Sequence, residues 1–123
     1  MAKIESYKNL IVWQKSIILV KEVYQLTKNF PRSELYGLTS QMRRSAISIP
    51  SNIAEGYGRK STKEYAQFYG IAFGSARELE TQLIIARELQ FINVSAFAKI
   101  DTLLNEILRM LNTMIQKIRS LIK

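Results

Sequence analysis

The sequence predicts an all-α protein, an antiparallel up-down four-helix bundle. Apolar residues recur at steps of three and four through four long segments, near 10–28, 34–56, 61–90 and 95–122. The segments are joined by short connections carrying proline, serine and glycine, which makes consecutive helices antiparallel neighbours. No stretch alternates with period two for long enough to form a strand. The 123 residues amount to a single domain over 1–123, large enough to bury roughly two thirds of its unfolded surface without a staple.

In the first segment Leu10, Trp13, Ile17, Val20 and Tyr24 form one helical row, and Val12, Leu19, Val23 and Leu26 a second beside it. Phe30-Pro31 closes it, because proline disfavours a helical residue before it. Ser33 is the expected cap of the second helix, whose inner row is Leu35, Leu38, Met42, Ala46, Ile49 and Ile53, ending at Gly56 and Gly58. Ser61-Thr62-Lys63-Glu64 opens the third as a capping box, each side chain expected to satisfy the other's backbone donor. Its inner row is Tyr65, Phe68, Ala72, Ala76, Leu79, Leu83 and Ala86, and Gly70 and Gly74 within it imply close approach of a neighbouring backbone. The fourth starts near Ser95 and carries Ile100, Leu104, Ile107, Leu111, Met114, Ile118 and Leu121, flanked by Leu108, Ile115 and Ile122 on one side and Leu103 and Met110 on the other. The double-width faces of the first and fourth helices imply homo-oligomerisation, or else a thick core filling the bundle's corners.

Composition narrows the chemistry. With 47% apolar and 23% charged residues the chain is ordinary for a globular protein. It has no cysteine and no histidine, which excludes disulfides, thiolate metal sites and the commonest general base. Net charge is +8: residues 1–32 contribute +4, 33–63 +3, 64–92 −2 and 93–123 +3. Such a surplus favours polyanions, although it also serves solubility. The start, Met-Ala-Lys-Ile-Glu-Ser-Tyr-Lys, carries no secretory pattern, and apolar runs such as Ile17–Val20 reach only four residues, so a cytoplasmic protein with no membrane partner is expected.

The most informative stretch is 42–59, where Arg43-Arg44, Pro50, Asn52, Glu55 and Arg59 interrupt a helical pattern. Departures from local rules inside a consistent element mark functional or strained sites. Gln41, Ser45, Ser48, Asn52 and Glu55 line one face of the second helix, and Ser75, Glu78 and Gln82 form a matching row on the third. Ser48, Asn52, Glu55, Ser75 and Glu78 therefore make either a polar pocket or a hydrogen-bonded network fixing helix register. Pro50 deprives the Ala46 carbonyl of its donor, leaving it to neighbouring serines or water. Glu55 and Glu78 are a conceivable acid–base pair, but no nucleophile motif or phosphate loop accompanies them, and a bundle di-iron site needs Glu-x-x-His. A non-enzymatic protein with no catalytic residue, metal or cofactor is expected.

Arg59, Lys60 and Lys63 gather at the tip between the second and third helices, with Arg43 and Arg44 higher on the second. The capped start of the third helix adds free N–H groups that favour an anion. Tyr57 and Tyr65 are near enough in sequence to stack on an unpaired base. Nucleic acid, RNA or DNA, is the partner these five basic residues imply.

Several strings occur in an order that carries a resemblance: Leu10-Ile11-Val12-Trp13-Gln14-Lys15, Phe30-Pro31, Tyr36-Gly37-Leu38, Gln41-Met42-Arg43-Arg44, Ser48-Ile49-Pro50-Ser51-Asn52-Ile53-Ala54-Glu55-Gly56, and Ala72-Phe73-Gly74-Ser75-Ala76-Arg77-Glu78-Leu79-Glu80. Over about residues 7–95 the chain resembles the four-helix-bundle family of 23S rRNA intervening-sequence proteins, many of them encoded within inserts in bacterial large-subunit rRNA genes. The fourth helix agrees in pattern alone. The resemblance implies a bundle that assembles into a ring-shaped homo-oligomer, a pentamer, with no established enzymatic activity. A related branch, the accessory proteins of diversity-generating retroelements, implies nucleic-acid binding with Arg43, Arg44 and Arg59 as first contacts. It also implies an alternative role as a protein-interaction scaffold, for example for a reverse transcriptase.

Overall fold

The computed structural model describes residues 6–122, which form four α-helices: α1 (Ile11–Thr27), α2 (Leu38–Tyr57), α3 (Thr62–Glu88) and α4 (Val94–Arg119). Each helix packs on the next in sequence and α1 closes the bundle against α4. Contacts run in opposite directions along neighbours: Lys15 pairs with Glu106 at 2.6 Å while Glu22 pairs with Lys99 at 3.3 Å, so α1 and α4 are antiparallel. The Lys15 ammonium holds the Glu106 carboxyl below the usual carboxylate range by hydrogen bonding and charge. That contribution to folding is present above the ordinary carboxylate pKa and is lost as pH falls through the lowered one.

Helix starts differ from the sequence expectation where a side chain reaches back in space. Ser33 does not cap α2: residues Arg32–Glu34 form a 3₁₀ turn, and the helix begins at Leu38, whose N–H is taken by Glu34 Oε1 at 3.1 Å. Ser61 caps α3 as expected, accepting from the Glu64 N–H at 3.1 Å. The reciprocal half differs, because Glu64 Oε2 accepts the Ser61 hydroxyl at 3.2 Å. α4 starts at Val94, beside the expected Ser95, and Asn93 caps it through the Ala96 N–H at 2.8 Å. α3 ends in a Schellman arrangement, with Gln90 at φ 64° and Phe91 N–H bonded to Ala86 O at 2.9 Å.

The core runs through Leu19, Val23, Met42, Ile49, Ile53, Leu79, Leu83, Leu104, Ile107 and Leu111, all fully buried. On α1 the second apolar row is the more deeply buried of the two. The buried side is Val12, Ser16, Leu19, Val23 and Thr27, while Trp13, Ile17 and Val20 are half-exposed. Ser16 and Thr27 are admitted because their hydroxyls donate to the carbonyls of Trp13 and Val23, at 2.7 and 2.8 Å. Leu35 and Leu121 lie outside the core, 46% and 71% exposed. Tyr69, absent from the expected row of α3, is fully buried and displaces Tyr65 and Phe68 to its flanks.

Close backbone approach occurs at Gly56 instead of Gly70 and Gly74. A Cβ at Gly56 would stand 2.8 Å from two ring carbons of Tyr69, whereas one at Gly70 or Gly74 would meet nothing within 4 Å. Replacing both open glycines by alanine should therefore stabilise the protein by about 0.5–1 kcal/mol each through helix propensity, read as a raised denaturation midpoint. A loss of stability that grows with protein concentration would instead place a second copy against this stretch.

Candidate nucleic-acid interface

The α2–α3 turn lies beside the last turns of α4 because neighbouring helices alternate in direction. Between them is a cleft of about 390 Å³ with Arg59, Lys60 and Tyr65 on one side and Met114, Lys117 and Ile118 on the other. Ser61 and Thr62, at the capped start of α3, complete its rim, and no carboxylate is among its lining residues. Arg59 Nη2 bonds Glu55 Oε2 at 2.9 Å, and the guanidinium lies 4.5 Å from the Phe68 ring centroid. Both partners of that pair are well exposed, so it is a surface (i, i+4) pair that an incoming phosphate can outcompete. Lys60 and Lys63 are exposed and make no ion pair with another described residue.

Arg43 and Arg44 lie elsewhere. At about 1.5 Å of rise per residue they stand roughly 20 Å along α2 from the tip. Arg43 faces α1: its Nε donates to Thr27 Oγ1 at 2.9 Å and its guanidinium covers Tyr24 at 4.5 Å. Arg44, one residue on, is exposed on the α3 side. The five basic residues thus divide into a tip group and two arginines that diverge from each other. Lys117 is the tip cation that sequence reasoning missed. Its proximity to Lys60 is created by packing, and nothing in the local pattern of α4 announces it. Tyr65 lines the cleft with one face against Tyr69, ring centroids 4.4 Å apart, and donates its hydroxyl to Tyr69 Oη at 3.1 Å. Burial holds the Tyr69 phenol well above its usual range, so it stays neutral. Tyr57 is half-buried near the end of α2.

The polar rows of α2 and α3 do meet. Ser48 Oγ and Ser75 Oγ are 2.8 Å apart, and Asn52 Nδ2 donates to the Ser48 carbonyl at 2.8 Å and to its hydroxyl at 3.0 Å. Above them Gln41, Arg44, Ser45 and Glu78 surround a polar recess of about 510 Å³ that Ser48 and Ser75 floor. Network and pocket are therefore continuous. Glu55 belongs to neither: it turns to Arg59 at the tip, so it does not share the recess with Glu78. Gln82, further along the α3 row, is buried, and its Oε1 finds no donor among the described residues. Beside Pro50, Ser51 donates to the Ile47 carbonyl at 2.8 Å rather than to that of Ala46.

On the opposite side of α2, Trp13, Ile17 and Val20 of α1 face Ile47, Pro50 and Ala54 across an open apolar groove of about 330 Å³. The half-exposed row of α1 thus forms one wall of a surface that no described residue covers.

The sequence profile described as 23S rRNA-intervening sequence protein matches residues 8–113. Among solved structures, a protein of unknown function from the S23 ribosomal protein family of Bacteroides thetaiotaomicron VPI-5482 is similar with a TM-score of 0.78. It is 24% identical, and the match covers 85% of this chain and 98% of that one, a likeness of fold. No curated protein matches.

Proposed function

The chain belongs to the 23S rRNA-intervening sequence protein family, and from that footing we propose that it is a non-enzymatic, basic helical bundle that binds nucleic acid through phosphate contacts, structured RNA foremost. The observation that carries the reading is the tip cleft, where Arg59, Lys60 and Lys117 converge with no opposing carboxylate among its lining residues. Lys63 stands on the adjoining first turn of α3, and Arg44 offers a further exposed contact along α2. Arg43, tied to Thr27 and Tyr24, serves the packing of α1 on α2 in this reading. The protein works in the cytoplasm as a ring-shaped homo-oligomer, a pentamer, which repeats the tip cluster around the ring. No described helix is long and apolar enough to cross a membrane.

Binding of labelled RNA hairpin and duplex DNA across a salt series, with mass by light scattering on the same sample, tests this. If Arg44, Arg59, Lys60, Lys63 and Lys117 each neutralise a phosphate of a duplex, log affinity falls with log salt at a slope of about −4.5 per protomer. Absence of binding at low salt would sink the proposal. The apolar groove of Trp13, Ile17, Val20, Ile47, Pro50 and Ala54 supports a second reading, a scaffold that docks a protein such as a reverse transcriptase. Association through that groove depends little on salt, which separates the two.

A further inference from the structure

We infer that the tip cleft seats one unpaired nucleotide, its phosphate on Lys60 and Lys117 and its base against Tyr65, Met114 and Ile118. The inference rests on the nucleic-acid reading and narrows it. Phosphate contacts alone need only exposed cations, as Lys63 and Arg44 already provide. This cleft adds an apolar wall, Met114 and Ile118, and an aromatic ring beneath the same cations. At about 390 Å³ it is within the size range of small-molecule sites, roughly 300–1,000 Å³. Its chemistry is that of a ligand with one anionic end and one flat apolar face.

A nucleotide whose base has left the stack has both. In a paired duplex the base faces are covered by their neighbours, so the duplex offers its phosphates but no base face. Tyr65 is prepared for such a base: Tyr69 supports one face of its ring and a hydroxyl bond fixes its orientation. The other clefts lack this combination. The one between α3 and α4 does hold a ring and two cations, Phe73, Arg77 and Arg109, but Arg77 already lies over that ring at 5.2 Å and is engaged by Glu80 at 2.9 Å, and Asn105 and Asn112 make its wall polar. The recess of Arg44, Ser45, Ser48, Ser75 and Glu78 has no aromatic ring to receive a base.

The test compares an RNA hairpin carrying one bulged nucleotide with the same hairpin fully paired, by fluorescence anisotropy at fixed salt. The bulged hairpin is expected to bind about tenfold more tightly, within the range of base–aromatic stacking. 2-Aminopurine at the bulge should change its emission on binding. Met114→Ser with Ile118→Ser, both half-exposed near the end of α4, should bring the bulged hairpin to the affinity of the paired one and leave the latter unchanged. Equal wild-type affinity for the two hairpins, with salt dependence intact, would overturn the seat while leaving the phosphate reading standing. Failure to bind either RNA would overturn both. Uridine 5′-monophosphate competing as tightly as the bulged hairpin would overturn it as well, by making the cleft a site for a free nucleotide.

Discussion

Lys60→Glu combined with Lys117→Glu should weaken nucleic-acid binding by roughly a hundredfold or more at moderate salt, and the salt slope should fall by about 1.8 as two phosphate contacts disappear. The two side chains come from the α2–α3 turn and the end of α4, yet they line one cleft. Each reversal removes a contact and introduces repulsion with the same phosphate. Two reversals also lower net charge from +8 to +4, so an overall field effect has to be separated from a local one. Lys21→Glu with Lys28→Glu makes the same change of charge at exposed positions on α1 and just past its end, away from the cleft. That control should cost several-fold at most. Equal losses in the two double variants, measured by anisotropy with folding checked by circular dichroism, would remove the tip from the site.

Gly56→Val should destabilise the fold by about 3 kcal/mol, the upper part of the range for overpacking a filled core. Even the first added carbon stands 2.8 Å from Tyr69 Cδ1 and Cε1 and 3.0 Å from Phe68 Cβ. Tyr69 cannot retreat, because it is fully buried and stacked on Tyr65. The gain in helix propensity over glycine, less than about 1 kcal/mol, does not offset this. Equilibrium urea denaturation reads the loss as a lower midpoint at unchanged slope. Alanine at Gly56 and alanine at Gly70 should shift stability in opposite directions, which isolates packing from backbone entropy. Because Tyr65 is in the cleft, the displaced Tyr69 ring should also impair binding of an unpaired base.

Much of the fold was legible. Spacing of three and four placed all four helices, and the Ser61 cap was read correctly because its partner Glu64 is three residues away. The start of α2 was not, since its first N–H is taken by the Glu34 carboxylate across a 3₁₀ turn. On α1 hydropathy marked two rows without ranking them, and burial goes to the side of Val12, Leu19 and Val23, where Ser16 and Thr27 satisfy themselves on their own helix and can be buried. At the site, Arg59 and Lys60 were legible as neighbours at a turn, and the meeting of Ser48 with Ser75 followed from two matching rows. Glu55 was grouped with the wrong partners because its competing cation, Arg59, sits one helical turn further along. Nothing in the sequence ranked Gly56 above Gly70 and Gly74.

By itself the sequence determined the helical class, the number of helices, the basic surplus and the polar row of α2, because each depends on residues within a turn or two of one another. Tertiary structure alone decided that Lys117 joins Lys60, that Arg43 is bound to α1 while Arg44 is exposed, and which glycine needs to be glycine. Those outcomes depend on which faces meet when four helices close on one another, and residues far apart in the chain become neighbours only through that packing.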